Sequence, residues 1–333
     1  MLLTRREAIA GTCGLALLPA LMREALIGEA LAEPVYPSQP IKMIVPYPAG
    51  GTTDFLGRLV AEQLRIGLGA TVVVENKPGV ATALGAEQVA RATPDGYTLL
   101  LATSTTLAIN KAMYRKLAYD PVRDFTPIGL VAGVPFALVV NPSIPVKTLA
   151  EFIAYAKANP GLAFGSAGNG SPQHLGAEML KSAAGIDIRH VSYRGSVPAM
   201  MDVIAGRISL MMVDLLPALP QIHDGKLTVL GVTTLNRVAA APEIPTLSES
   251  GLAGFELVAW QGIVGPANMK RPIVDQLAAQ IERLEVNPRM RDRLTEIALE
   301  PLPGSTPDKF AAYVKTEVDR WAMIVKNSGV ELE

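Results

Sequence analysis

The feature that most constrains this chain is an alternation, from residue 41 onward, of short apolar runs with amphipathic helical stretches. Residues 41–45 read as a strand before a turn. Residues 54–66 follow with Leu56, Leu59, Val60 and Leu64 on one helical face. Residues 71–74 are β-branched and read as a buried strand. Lys77-Pro78-Gly79 is a turn, 82–92 a helix, Pro94-Asp95-Gly96 another turn, and 98–102 a strand. This βαβαβ order predicts α/β layering around a parallel sheet with right-handed crossovers. A second set begins near residue 134, with strands at 136–140, 162–165, 187–191, 209–213 and 227–233. Between them lie helices at 173–184 and 197–205, and one ending at 159 that Thr148 and Glu151 introduce with capping-box spacing. Residues 241–254, rich in Pro, Gly and small side chains, read as a linker. The apolar run 257–264 returns the chain to its first lobe, and helices at 272–286 and 306–326 close it, the second with Thr306 as N-cap before Pro307.

Residues 1–32 are set apart as a secretory signal. Arg5-Arg6 open it, an apolar run spans 8–22, and Ala30-Leu31-Ala32 is a small-residue cleavage site, so the mature chain begins near Glu33. Thr4-Arg5-Arg6 is compatible with twin-arginine as well as Sec export. The only cysteine, Cys13, falls inside this signal. The mature chain therefore has no disulfide, thiol nucleophile or thiolate metal site, and must be held by burial alone. With 49% apolar residues it can bury two cores. A formal net charge of −1 leaves no basic field for nucleic acid and no polybasic patch for a membrane surface. Any ligand must be gripped by local groups.

Several loops carry such groups. Pro46-Tyr47-Pro48-Ala49-Gly50-Gly51-Thr52-Thr53-Asp54 joins a strand to a helix. Gly50 and Gly51 permit close backbone approach, and the free N–H groups of the following helix suit an anion. Gly165-Ser166-Ala167-Gly168-Asn169-Gly170-Ser171-Pro172-Gln173-His174 repeats the arrangement in the second set. In open α/β sheets ligands sit beyond the carboxyl ends of strands, so two such cradles on facing lobes would close on one ligand. Tyr193-Arg194-Gly195-Ser196 offers Arg194 as a two-pronged carboxylate partner, with a surface ion pair as the equal alternative. Asp214 ends an apolar strand; it either anchors loop N–H groups or accepts from a ligand amine, hydroxyl or water. Asp54 in the first helical turn is read as structural. Thr103-Ser104-Thr105 places hydroxyls that reach the same cleft or cap a helix. Enzyme signatures are missing: no G-x-S-x-G elbow, no P-loop, no H-E-x-x-H, and no metal spacing among His174, His190 and His223. No cofactor or metal is expected. A secreted serine hydrolase using Ser171 or Ser166, with His174 as base for Ser171, is the alternative from another class.

Taken in order, these motifs resemble one family. They are Tyr36-Pro37, Val45-Pro46-Tyr47, Gly50-Gly51, Asp54, Asn76-Lys77-Pro78-Gly79, Pro94-Asp95-Gly96-Tyr97, Tyr119-Asp120-Pro121 and Asp124-Phe125-Thr126-Pro127. Further along come Ser166-Ala167-Gly168-Asn169-Gly170-Ser171, His174-Leu175, His190-Val191, Tyr193-Arg194-Gly195, Pro245-Thr246, Gly251 and Trp260. The chain resembles the substrate-binding receptors of tripartite tricarboxylate transporters, the Bug-type periplasmic receptors, over nearly its whole mature length. The resemblance implies a two-lobed periplasmic-binding-protein (Venus-flytrap) fold, type II-like, each lobe a mostly parallel sheet flanked by helices. Lobe one would be 33–132 plus 255–333, and lobe two 133–254. It implies a monomeric, non-catalytic periplasmic receptor that binds a small organic carboxylate and hands it to integral membrane permease subunits. The expected ligand-binding residues are Tyr47, Ala49, Gly50, Gly51, Thr52, Ser104, Ser166, Gly168, Gly170, Ser171, His174, Tyr193, Arg194 and Asp214. Leu107 and Lys111 depart from the family's frequent His and Pro, Arg194 from a common Lys, and Val213 from a common Phe.

Overall fold

Strand β1 (Ile41–Val45) sits at the centre of the N-terminal βαβαβ unit in this computed structural model, which describes residues 36–330. It pairs in parallel with β2 (Val72–Asn76) on one side and β3 (Thr98–Thr103) on the other. Helix α1 (Thr52–Leu68) crosses between β1 and β2 because Leu56, Leu59, Val60 and Leu64 form a buried stripe. Gly69, left-handed at φ 68°, ends it and returns its N–H to Arg65 O. Helix α2 (Ala83–Ala90) makes the second crossover. After β3 the chain turns through a π-helical segment, Thr105–Ile109, into the short α3 (Asn110–Met113). The signal sequence expected at 1–32 lies outside the described residues.

The second set repeats the plan. It contains α4 (Leu149–Ala158), β5 (Leu162–Ser166), α5 (Pro172–Ala184), β6 (Ile188–Ser192), α6 (Ser196–Ile204) and β7 (Leu210–Asp214). Strands β6, β5 and β7 are parallel neighbours. The capping box read from Thr148 and Glu151 is present, with Glu151 N–H donating to Thr148 Oγ1 at 3.2 Å.

One long strand, β4 (Phe125–Val140), belongs to both sets. Its first part pairs antiparallel with β9 (Val258–Pro266), which itself lies against β3. Its last part, from Phe136, pairs antiparallel with β7 and with β8 (Thr228–Val232). The order is β2-β1-β3-β9-β4-β7-β5-β6. Each lobe thus has a parallel core of three strands, flanked by antiparallel strands.

A single hydroxyl ties the crossing together. Phe136 N–H donates to Thr233 Oγ1 (3.1 Å), and that hydroxyl donates to Leu257 O (2.6 Å). The Thr233 N–H reaches Phe136 O and the Leu257 N–H reaches Thr233 O, both at 2.9 Å. Residues 241–254, expected as a linker, are packed. Ala241, Ile244 and Leu247 are buried, and Thr246 and Glu249 exchange hydrogen bonds in a reciprocal cap.

Helix α7 (Leu215–His223) follows β7, while α8 (Arg271–Val286) and α9 (Pro288–Glu296) follow β9. The two-residue strand β10 (Glu300–Pro301) adds to β4, and α10 (Pro307–Ser328) closes the described chain. Helix α10 packs on the π-helical turn, on β4 and also on α5, so it touches both sets. Buried Glu317 on α10 accepts from the indole N–H groups of Trp260 (2.6 Å) and Trp321 (2.9 Å), joining it to β9.

Candidate functional site

Two cavities lie end to end where the strand ends of both lobes face each other. The inner pocket holds about 210 Å³ and the outer groove about 620 Å³. Tyr47, Pro48, Thr105, Ala167, Arg194 and Gly195 line both, so they form one continuous cleft.

The loop before α1 is shaped by Asp54. Its carboxylate accepts from Gly50 N–H (3.0 Å), Arg58 Nε (3.1 Å) and Asn76 Nδ2 (3.0 Å). Burial alone would raise this carboxyl, but the bonds from Arg58, Gly50 and Asn76 outweigh it and hold it below the usual range. Asn76 also donates to Tyr47 O (3.0 Å), fixing the turn in which Gly50 sits at φ 85°. With the loop held this way, Ala49, Gly51 and Thr52 line the inner pocket while Gly50 does not. Gly51, the N-cap of α1, has no side chain to cap the helix, so the helix end is left open for an anion. Gly195, at φ 124°, does the same for α6. The Tyr47 hydroxyl donates to Thr105 Oγ1 (3.3 Å), which stands the ring between pocket and groove.

The glycine-rich loop before α5 behaves differently. Ser171 Oγ accepts the His174 N–H (3.3 Å) and caps its own helix. The His174 ring accepts the Gly170 N–H at Nδ1 (3.2 Å) and stacks on His190 at 3.7 Å. Ser166 Oγ lies 2.6 Å from His190 Nε2 and donates to Gly168 O (3.0 Å). Gly168, Ser171 and Tyr193 line the outer groove, whereas Ser166, Gly170 and His174 line neither cavity. The Tyr193 hydroxyl points away, donating to Asp202 Oδ2 (2.7 Å). Ser171 meets the backbone of His174 rather than its ring, and Ser166, which lies against the half-buried His190, is itself wholly buried.

At the floor of the inner pocket Asp214 is 8% exposed. Its Oδ2 accepts from Thr52 Oγ1 across the cleft (3.0 Å) and its Oδ1 from Gln173 Nε2 (2.7 Å). Burial pushes its carboxyl up, and the Thr52 and Gln173 bonds offset this in part. Ser104, wholly buried, also lines this pocket, and Arg194 is exposed at the mouth. The lining residues outside the expected set include Gln173, Ser196 and Gln261. Ser196 directly follows the Arg194-Gly195 motif. Gln261 carried a signal too, as a lone amide inside the apolar run of β9. Among the described residues, no group of three His, Cys, Asp or Glu could hold a metal ion, and no helix is long and apolar enough to cross a membrane.

Two α/β lobes joined by crossing strands, with open helix ends facing a shared cleft, define a solute-binding receptor of the periplasmic-binding-protein class. The model of the tripartite tricarboxylate transporter family receptor, TctC, matches residues 56–330, and the chain belongs to that family. Among solved structures it is similar to R. palustris Rpa4515 with adipate, at 33% identity and a TM-score of 0.87, covering 90% of this chain and 100% of that one. It is similar to the periplasmic binding protein BugD at 37% identity and a TM-score of 0.84, with the same coverage. MatC from Rhodopseudomonas palustris with bound malate shares 31% identity and a TM-score of 0.81, over 87% of this chain and 100% of that one.

Proposed function

We propose that the chain is a periplasmic receptor that captures a small organic carboxylate between its lobes and delivers it to the membrane subunits of a tripartite tricarboxylate-type transporter. The observation that carries this reading is the inner pocket, where the uncapped N-termini of α1 and α6 converge on one 210 Å³ space. Backbone N–H groups of Ala49, Gly51 and Thr52 grip the carboxylate, Tyr47 packs on its carbon frame, and Ser104 and Arg194 add side-chain contacts. Gly168 and Ser171 border the groove along which the rest of the ligand extends. The adipate and malate of the similar structures are ligands of this chemical kind. Residues 33–132 with 255–333 form one lobe and 133–254 the other, after removal of residues 1–32 on export. The crossing of β4 at Pro135–Phe136 supports that division.

A thermal-melting screen of the ligand-stripped protein against carboxylates of graded length tests the reading. A ligand at about 100 times its Kd adds about 2.7 kcal/mol, a melting shift of roughly 5 °C for a chain of this size. A saturable shift with one class of acid is expected. Flat melting curves across the whole panel would sink the proposal.

A further inference from the structure

Carboxylate capture makes no use of the π-helical turn, Thr105–Ile109, beyond its first residue, nor of the short helix α3 that follows. Turns of this kind are rare and cluster at functional sites. Thr105 lines both cavities of the cleft and accepts from Tyr47. Thr106, next in the turn, gives its carbonyl to the buried Tyr119 hydroxyl (2.7 Å), which also accepts from Asn110 Nδ2 (3.1 Å). Tyr119 in turn lines a third cavity, an open groove of about 520 Å³ over residues 111–123.

That groove is basic. Lys111, Arg115, Lys116 and Arg123 line it against a single acid, Asp120. Asp120 binds Lys111 (2.6 Å), and Asp124 binds Arg123 (2.7 Å). Asp120 also takes the Val122 and Arg123 N–H groups, both at 3.0 Å, so the rim is braced before any partner arrives. Arg115 and Lys116 are exposed, and no carboxylate among the described residues pairs with either. Two unmatched cations on a chain of net charge −1 complement an acidic surface. Val122, 44% exposed on the same turn, adds an apolar contact. A braced concave groove with an apolar neighbour fits a protein segment better than the plane of a membrane.

Its position indicates which protein. Tyr114 lines both this groove and the outer groove of the cleft, so an occupant would sit against the mouth through which cargo leaves. Helix α3 also meets the opposite lobe. Gly170 of the glycine-rich loop packs so close that a Cβ there would lie 3.1 Å from Met113 Cγ. Parting the lobes withdraws that contact from the helix that carries Lys111. We propose that the groove over residues 111–123 docks an acidic segment of the transporter's membrane subunits, and that α3 and the π-helical turn make it hold a closed, filled receptor more tightly than an empty one. The proposal rests on the chain being a transport receptor and adds where that receptor is held.

Fluorescein-labelled octaglutamate and octaglutamine, titrated with the mature protein and followed by anisotropy, test the groove without any cargo. Octaglutamate is expected to bind roughly 10-fold or more tighter, with the preference shrinking as salt is added. Arg115→Gln with Lys116→Gln should remove the preference. Lys157→Gln with Arg189→Gln, an equal loss of exposed charge on the other lobe, should leave it intact. Equal binding of the two peptides, or equal effects of the two double variants, would overturn the proposal. So would tighter binding to phosphatidylglycerol vesicles that the Arg115 and Lys116 changes abolish, since the groove would then serve a lipid surface. Saturating the cleft with the acid found by melting should tighten octaglutamate roughly 5-fold or more, and an unchanged affinity would overturn the link through α3. Flat melting curves beside an intact octaglutamate preference would sink the receptor reading and leave the groove an acidic docking face.

Discussion

Thr52 and Asp214 are 162 residues apart in sequence, yet their 3.0 Å bond spans the cleft. Removing the hydroxyl by Thr52→Val leaves a buried carboxylate with one donor fewer. A loss of roughly 1–3 kcal/mol in urea unfolding without ligand is expected. A change below about 0.3 kcal/mol would show that the bond contributes nothing to the free protein. The stacked histidines make a second prediction at this scale. Burial, helped by the neighbouring charges of His190 and Lys181, holds His174 down to about 3, and burial holds His190 at about 4. In the unfolded chain both titrate near ~6.5. Their folded pKa values are depressed, so the unfolded chain binds more protons below ~6.5. The stabilisation is fully present above that pH and drains away as pH falls toward 4. Between pH 7 and pH 4.5 unfolding free energy should drop by roughly 2–4 kcal/mol from this pair. His174→Gln should flatten that acid limb, and an unchanged slope would refute the assignment.

At the scale of elements, Glu317 is the link between β9 and α10. Two indole N–H groups share its Oε2, and Trp260 lines the inner pocket. Glu317→Ala strands both donors in a buried site and should cost roughly 3–5 kcal/mol, read as a lowered urea midpoint. Trp321→Phe gives up only one donor and should cost visibly less. The same scale shows what the sequence reveals. Helix α1 is legible because its apolar stripe repeats at 3.6 residues, and the helix after Thr148 because its capping box is local chemistry. The first half of β4 is not legible. Pro127, Gly129 and Pro135 speak against a strand, and the chain accepts them only through irregular register near Gly129 and Ala132 and through β9 on its flank. Helix α7 is hidden likewise, by Pro217 and Pro220. The candidate site divides in the same way. The glycine loops announce themselves by composition. Gln173 and Gln261 acquire meaning only when α5 and β9 bring them beside Asp214 and Thr53. Three consecutive left-handed residues, Val80, Ala81 and Thr82, form a wall of the outer groove. Nothing in their side chains foretells this; the turn is held from outside by Asn110 Nδ2 on Ala81 O (2.7 Å).

For the whole molecule, the informative joint is Thr233, whose hydroxyl and backbone hold Phe136 and Leu257 together. Thr233→Val removes the side-chain half of that tie. Ligand-free protein should then show a larger radius of gyration by small-angle scattering, and saturating ligand should restore the wild-type value. An unchanged ligand-free profile would mean that the joint does not set the lobe angle. The crossing itself has a mechanical consequence. Strand β4 runs without a loop through both halves of the sheet, so the lobes cannot swing on a slack tether. Any opening must flex a hydrogen-bonded ribbon, whose restoring force grows with the angle. Such a receptor behaves as a leaf spring: each uptake and release of cargo is a small elastic stroke about a rest position built into the backbone.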